Sequence, residues 1–156
     1  MMNRLKPRCC AGLLGLVMAS CSHVSQDAST PISSSETRLI EETLTDYIEG
    51  TSLGTPDQLR SAFHPDFNLY AVNPDNSLRI WSGQDYISDF KVGESNNRVG
   101  KILSIDFEQD VAVAKAEVTI PGSRVFTDYF LLVKYEDQWR IIHKSYTSRP
   151  IDETLK

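Results

Sequence analysis

A chain of 156 residues with 40% hydrophobic content can build one domain with a real core, and leaves little room for a second. The formal net charge is −5, and removal of residues 1–20 takes it to −8, with 13 basic residues against 21 acidic ones. A surface of that sign is repelled by nucleic acid and by anionic lipid headgroups, so nucleic acid is not an expected partner.

The N-terminus reads as an export signal. "MMNRLKPRCCAGLLGLVMASC" has a basic start (Arg4, Lys6, Arg8) followed by a short apolar run from Ala11 to Ala19. As a helix that run reaches about 14 Å, against the ~30 Å core of a bilayer, so it is too short to span. Met18-Ala19-Ser20-Cys21 resembles the bacterial lipoprotein signal, in which small residues precede a cysteine that is lipidated and becomes the mature N-terminus. The usual leucine is replaced here by Met18. The resemblance implies a signal peptide at residues 1–20 and a lipid on Cys21. It also implies attachment to the bacterial cell envelope, at the outer membrane facing the periplasm. The alternative is a plain signal peptide cut nearby, with Cys21 a free thiol. Cys9, Cys10 and Cys21 are the chain's three cysteines, and the first two leave with the signal, which suits an oxidising compartment.

"SHVSQDASTPISSS" has too few apolar residues to bury surface and reads as a tether over 21–35, with His23 solvated. The folded domain is expected over 36–150, followed by a short tail at 151–156. Its first helix starts near Glu36, where Leu39, Ile40, Leu44, Tyr47 and Ile48 form one stripe and Gly50 supplies a stop. A second helix fits "TPDQLRSAF", with Thr55 as N-cap and Pro56 at the first helical position. "NLYAV" and "LRIWS" read as strands around the turn "NPDNS". "SGQDYISDF" reads as a third helix capped by Ser82. Four strands follow, at 99–108, 111–120, 124–135 and 139–147, with turns at Gln109-Asp110, Pro121-Gly122 and Asp137-Gln138. The order predicts an α+β fold, with helices packed on one face of an antiparallel sheet.

Strong catalytic and cofactor signals are missing: there is no glycine-rich phosphate loop, no His-Glu-x-x-His, no paired cysteines in the domain and no Gly-x-Ser-x-Gly. His23, His64 and His143 are widely separated, which gives a metal site little support. No cofactor, metal or catalytic residue is assigned.

The most informative stretch is "TDYFLLVKYEDQWRIIHKSY", Thr127 to Tyr146, which sets an aspartate, a histidine and a lysine in an apolar hairpin. A two-residue turn at Asp137-Gln138 would line one face with Asp128, Phe130, Leu132, Ile141, His143 and Ser145, and put Lys144 on the other. A three-residue turn would bring Lys144 to Asp128 and send His143 away. An aspartate on an apolar inner face needs a partner, a hydrogen bond or a solvated cavity. Asp128 therefore reads either as a turn cap with His143 on a backbone carbonyl, or as part of a pocket. Apolar residues on both faces of 128–135 point to a partner surface on the side carrying Tyr129, Leu131, Val133 and Tyr146, and to a homodimer.

The element order, "LRSAFHPDFNLYAV", "WSGQDYISDF" and above all the hairpin resemble the nuclear transport factor 2-like superfamily, and within it the "putative lumazine-binding" family. The resemblance covers Glu36 to Pro150. It implies a cone in which a curved antiparallel sheet wraps around three helices and encloses a pocket. In the ketosteroid isomerase branch, a worked case of tuned carboxyl groups, a tyrosine and a protonated aspartate bind the oxyanion and a second aspartate is the base. Tyr47 and Asp128 fall on the first two positions, and Ala71 falls on the base. Loss of a base worth about 10²–10⁴ in rate argues against proton-transfer isomerisation, with His64 and His143 the residues that could take its place. Trp81 also fits the family pattern, as a core anchor or a stacking platform. The reading is an exported lipoprotein that binds a small, partly apolar molecule through Tyr47, Trp81, Asp128, Phe130 and His143, without catalysis. The rivals are an isomerase, cyclase or dehydratase of the polyketide-cyclase kind, and a protein-binding module with a closed cone.

Overall fold

The computed structural model describes residues 30–151, so the signal, Cys21, His23 and the first part of the tether lie outside the described residues. Helix α1 runs Thr30–Leu53, α2 Pro56–Ala62 and α3 Gly83–Ser88; the strands are β1 Phe63–Val72, β2 Leu78–Ser82, β3 Val99–Glu108, β4 Val111–Ile120, β5 Arg124–Tyr135 and β6 Gln138–Pro150. The architecture is α+β, with helices against a curved, open six-stranded sheet of order β2-β1-β6-β5-β4-β3. Neighbouring strands are antiparallel except β1 and β6, which run parallel. That one parallel pair lies inside the sheet, whose edges are β2 and β3, and sets the β1–β2 hairpin beside the β3–β6 meander.

The first helix differs from its sequence reading at both ends. It begins at Thr30, inside the stretch expected as tether, and it continues through Gly50 to Leu53. Gly50 is not a stop: it is buried, and a Cβ there would sit 2.7 Å from Leu59 Cδ2, so the glycine lets α2 pack against α1. The stop is Gly54, at φ +64°, the left-handed geometry that ends helices most readily at glycine. Downstream, Thr55 flanks α2 without a side-chain cap, its hydroxyl donating instead to Gln58 Oε1 at 3.0 Å. Ser82 caps α3 as expected, accepting from the Asp85 backbone N–H at 3.1 Å.

The core lies between the concave sheet face and the helices. Ile40, Leu44 and Tyr47 of α1 and Leu59 of α2 meet Leu69 of β1, Val118 of β4, Phe130 and Leu132 of β5, and Ile141 of β6, all at most 3% exposed. Burying each such aliphatic side chain stabilises the fold by about 1.5–3 kcal/mol. At the start of α1, Glu36 clasps the hairpin: Lys134 Nζ donates to Oε1 at 2.9 Å and Trp139 Nε1 to Oε2 at 2.8 Å. The hydrogen bonds from Lys134 and then Trp139 hold the Glu36 carboxyl below its usual range. A depressed folded-state pKa stabilises above the unfolded value and is lost as pH falls through the folded one. Glu36→Gln is therefore expected to melt earlier than the parent at pH 7, with the gap closing below about pH 4 in a series of thermal melts.

Candidate functional site

The β5–β6 hairpin sets the site, and it does so through a bulge. Its turn is Glu136-Asp137, with φ of 49° and 60°, two successive left-handed residues as in a type I′ turn, and Tyr135 pairs Gln138. Pairing then runs regularly to Leu132↔Ile141, skips Ile142, and resumes at Leu131↔His143 and Phe130↔Lys144. One extra residue in β6 inverts the alternation beyond it. The expectation that Asp128 and His143 share a face is thereby corrected: Lys144 stands beside Asp128, although the turn has two residues. His143 goes to the outer face, where its ring lies 4.9 Å from that of Tyr70 and Nε2 is 3.0 Å from Ser145 Oγ. Tyr146, expected outside, pairs Asp128 and faces inward.

Asp128 is not a turn cap. It sits mid-strand at 0% exposure, and Tyr47 Oη donates to its Oδ2 at 2.7 Å. Lys144, 4% exposed, brings Nζ to 3.2 Å from Asp128 Oδ1 and donates to Tyr47 Oη at 2.6 Å. The Lys144 Nζ also lies 4.8–5.3 Å from the ring centroids of Tyr47, Tyr86 and Tyr146, so three aromatic rings and a carboxylate surround it. Burial, and then the charge of Asp128, hold the Tyr47 hydroxyl well above its ordinary range, so it remains a neutral donor. Phe130, 3% exposed, packs edge-on to Tyr47 at 5.2 Å and supports the cluster from behind.

Above this cluster opens a cavity of about 410 Å³, with Tyr47, Asp128 and Lys144 among its lining residues. Trp81 and Tyr146 form one wall, their rings 6.2 Å apart and 18° from parallel. Tyr86 and Phe90, from α3 and the residues after it, form another. The structure thus brings Tyr47, Trp81 and Asp128 to one cavity, packs Phe130 under it and leaves His143 outside. Ala71, which the ketosteroid isomerase resemblance aligns with a base, is not among the residues lining the cavity; it pairs Arg79 across β1 and β2, and Arg79 stacks its guanidinium 3.8 Å over Trp81. Sequence reasoning missed Arg79, Arg98 and Arg124, which also line the cavity. Arg79 was within reach, because it precedes Trp81 by two and so shares its face of β2; Arg98 lies in a loop with no periodic signal.

The family model described as "Putative lumazine-binding" matches residues 35–147, most of the chain. The chain belongs to this family. Similar to it is a protein named Aldolase FrzH from Cladobotryum, 26% identical over 121 residues, covering 76% of this chain and 96% of that protein. Among solved structures, an NTF2-like protein of unknown function from Shewanella baltica is 26% identical at a TM-score of 0.69, covering 76% of this chain and 97% of that one. A protein called a putative scytalone dehydratase, from Novosphingobium aromaticivorans, shares the fold at 18% identity and a TM-score of 0.56, over 79% and 92% of the two chains. The lumazine-binding-family domain is thus an NTF2-like cone, and its neighbours carry both enzymatic and unassigned names.

Proposed function

We propose that this lumazine-binding-family domain binds a small, partly apolar molecule in the cavity above Tyr47, Asp128 and Lys144, and does not catalyse a reaction on it. The observation that carries this reading is the cavity itself, about 410 Å³, in which aromatic walls face six charged side chains and so offer a small molecule both a stacking surface and polar anchors. Against catalysis stand the alanine, Ala71, that the ketosteroid isomerase resemblance aligns with a base, and the pairing of Asp128 with Lys144 at 3.2 Å. Native mass spectrometry of the domain purified from its own host is expected to show a retained small molecule that Trp81→Ala releases. A protein of bare mass, inert to small molecules, would favour the protein-binding alternative.

A second reading has one observation in its favour. Lys144 Nζ lies 2.6 Å from Tyr47 Oη at a cavity floor, a nitrogen and a proton donor that chemistry on a carbonyl compound could use, and one relative bears the name aldolase. Reaction through the amine would require Lys144 to leave its ion pair with Asp128. A borohydride-trapped adduct on Lys144 in the presence of an aldehyde or ketone would establish the enzyme reading.

In the cell, we place the domain in the bacterial envelope, held by a lipid on Cys21 and facing the periplasm. The support is the signal pattern at Met18 to Cys21. Cys21→Ser should move the protein from the membrane to the soluble fraction; unchanged pelleting refutes the anchor. A homodimer through the outer sheet face is proposed from Tyr129 (51% exposed) and Val113 (50%), adjoining half-buried Leu131 and Val133. Leu131→Asp should then sediment as a monomer, and a monomeric parent at tens of micromolar would rule the dimer out.

A further inference from the structure

Resting on the binding reading above, we infer that the cavity selects a planar aromatic carboxylate, its ring among Trp81, Tyr86 and Tyr146 and its anionic group on Arg98 and the rim arginines Arg79 and Arg124. The chain is acidic, yet four cationic side chains line this cavity against two carboxylates, Asp89 and Asp128. Asp128 is already matched by Lys144. The three arginines have no carboxylate within 4 Å among the described residues, and they outnumber exposed Asp89. Their positions are set by packing: Arg79 on Trp81 at 3.8 Å, Arg98 on Phe90 at 5.3 Å, and Arg124 at 6.0 Å from the Phe126 ring with a 3.3 Å bond to Ser148 Oγ. A guanidinium stacked on a ring keeps its in-plane N–H groups free, in the fork geometry that suits a carboxylate.

Two buried polar atoms in the same wall point the same way. Of three such atoms on residues lining the cavity, Asp128 Oδ1 is met by Lys144 Nζ at 3.2 Å; the other two, Arg98 Nε and Tyr86 Oη, are shielded from solvent and have no hydrogen-bond partner among the described residues. Buried donors are nearly always satisfied, so an acceptor arriving in the cavity is the natural partner for these two. An anion between them meets donors, while a cation meets a field of its own sign. Aromatic walls suit a flat ring, which stacks with little loss of conformational freedom.

The test compares 2-naphthoate with its neutral isostere 2-naphthamide by calorimetric titration at low salt. The carboxylate should bind about tenfold or more tightly, the margin of a hydrogen bond to a charged group. Arg98→Met should collapse that ratio to near one. Arg124→Gln, at an exposed rim position that leaves the core untouched, should reduce it partway and so covers the case in which Arg98→Met does not fold. Equal affinity for the two probes, or preference for the amide, overturns the anion assignment while leaving the binding reading in place. Absence of binding by either probe at millimolar concentration counts against both.

Discussion

Asp128→Leu alone should lower the melting temperature of the domain by about 10–20 °C. The substitution strands the Lys144 ammonium at 4% exposure, and breaking a buried ion pair from one side costs about 3–5 kcal/mol, of which each kcal/mol moves the midpoint of a domain this size by a few degrees. Lys144→Met should cost a similar amount for the mirror reason. The triple change Asp128→Leu, Lys144→Met, Tyr47→Phe should recover most of the loss, since it removes both charges and the hydroxyl that bridges them. Calorimetry on the three proteins decides it. A single variant that melts with the parent would mean that solvent reaches the pair and that the cavity floor is not the closed cluster described above.

Gly83→Val should be nearly as damaging, and for a reason that connects packing to function. A Cβ at Gly83 would lie 2.1 Å from Phe67 Cδ1, inside any real contact distance. Phe67 cannot yield: it is 2% exposed and stacked on Phe63 at 3.8 Å between centroids. The strain must instead push α3 off β1, and α3 carries Tyr86, with Phe90 just beyond it in the cavity wall. The expected result is a loss of about 3 kcal/mol or more in denaturant unfolding, at or above the upper end of overpacking costs, together with loss of ligand binding. Stability or affinity equal to the parent's would show that α3 can shift without consequence and that the wall is not built on this contact.

Local signals made most of the elements legible. Pro56 at the first helical position, Ser82 before α3, the turn at Asn73–Ser77 and the strands β3 to β6 rest on signals that act over a few residues, and those elements stand within a few residues of their readings. Helix α1 instead begins near Thr30 rather than Glu36, and β1 begins at Phe63, inside the expected second helix, rather than at Asn68. Length beyond a local signal was harder. Gly50 looked like a helix stop because a stop and a close approach both select glycine, and only the position of Leu59 distinguishes them. Tyr47, Trp81 and Asp128 were legible as cavity residues through their periodicity and the family resemblance. His143 was misplaced because parity assumes an unbroken ladder, and the extra residue Ile142 carries no distinguishing side chain. The arginines escaped notice because a cation near an aromatic ring is ordinary on a surface. They converge only after β2, the loop before β3 and the start of β5 are brought together.

The central claim is that a ligand enters the cavity walled by Trp81 and floored by Tyr47, Asp128 and Lys144. The chain has two tryptophans, and they report on different places: Trp81 lines the cavity, while Trp139 is 3% exposed with its indole N–H committed to Glu36. A ¹⁵N-resolved spectrum of the domain therefore carries a resonance for the cavity and an internal control. Titration with the molecule retained from the host, or with 2-naphthoate in its place, should move the Trp81 indole signal saturably and leave that of Trp139 unmoved. A saturable ligand that shifts Trp139 and not Trp81, or no saturable shift at millimolar concentration, would contradict the account.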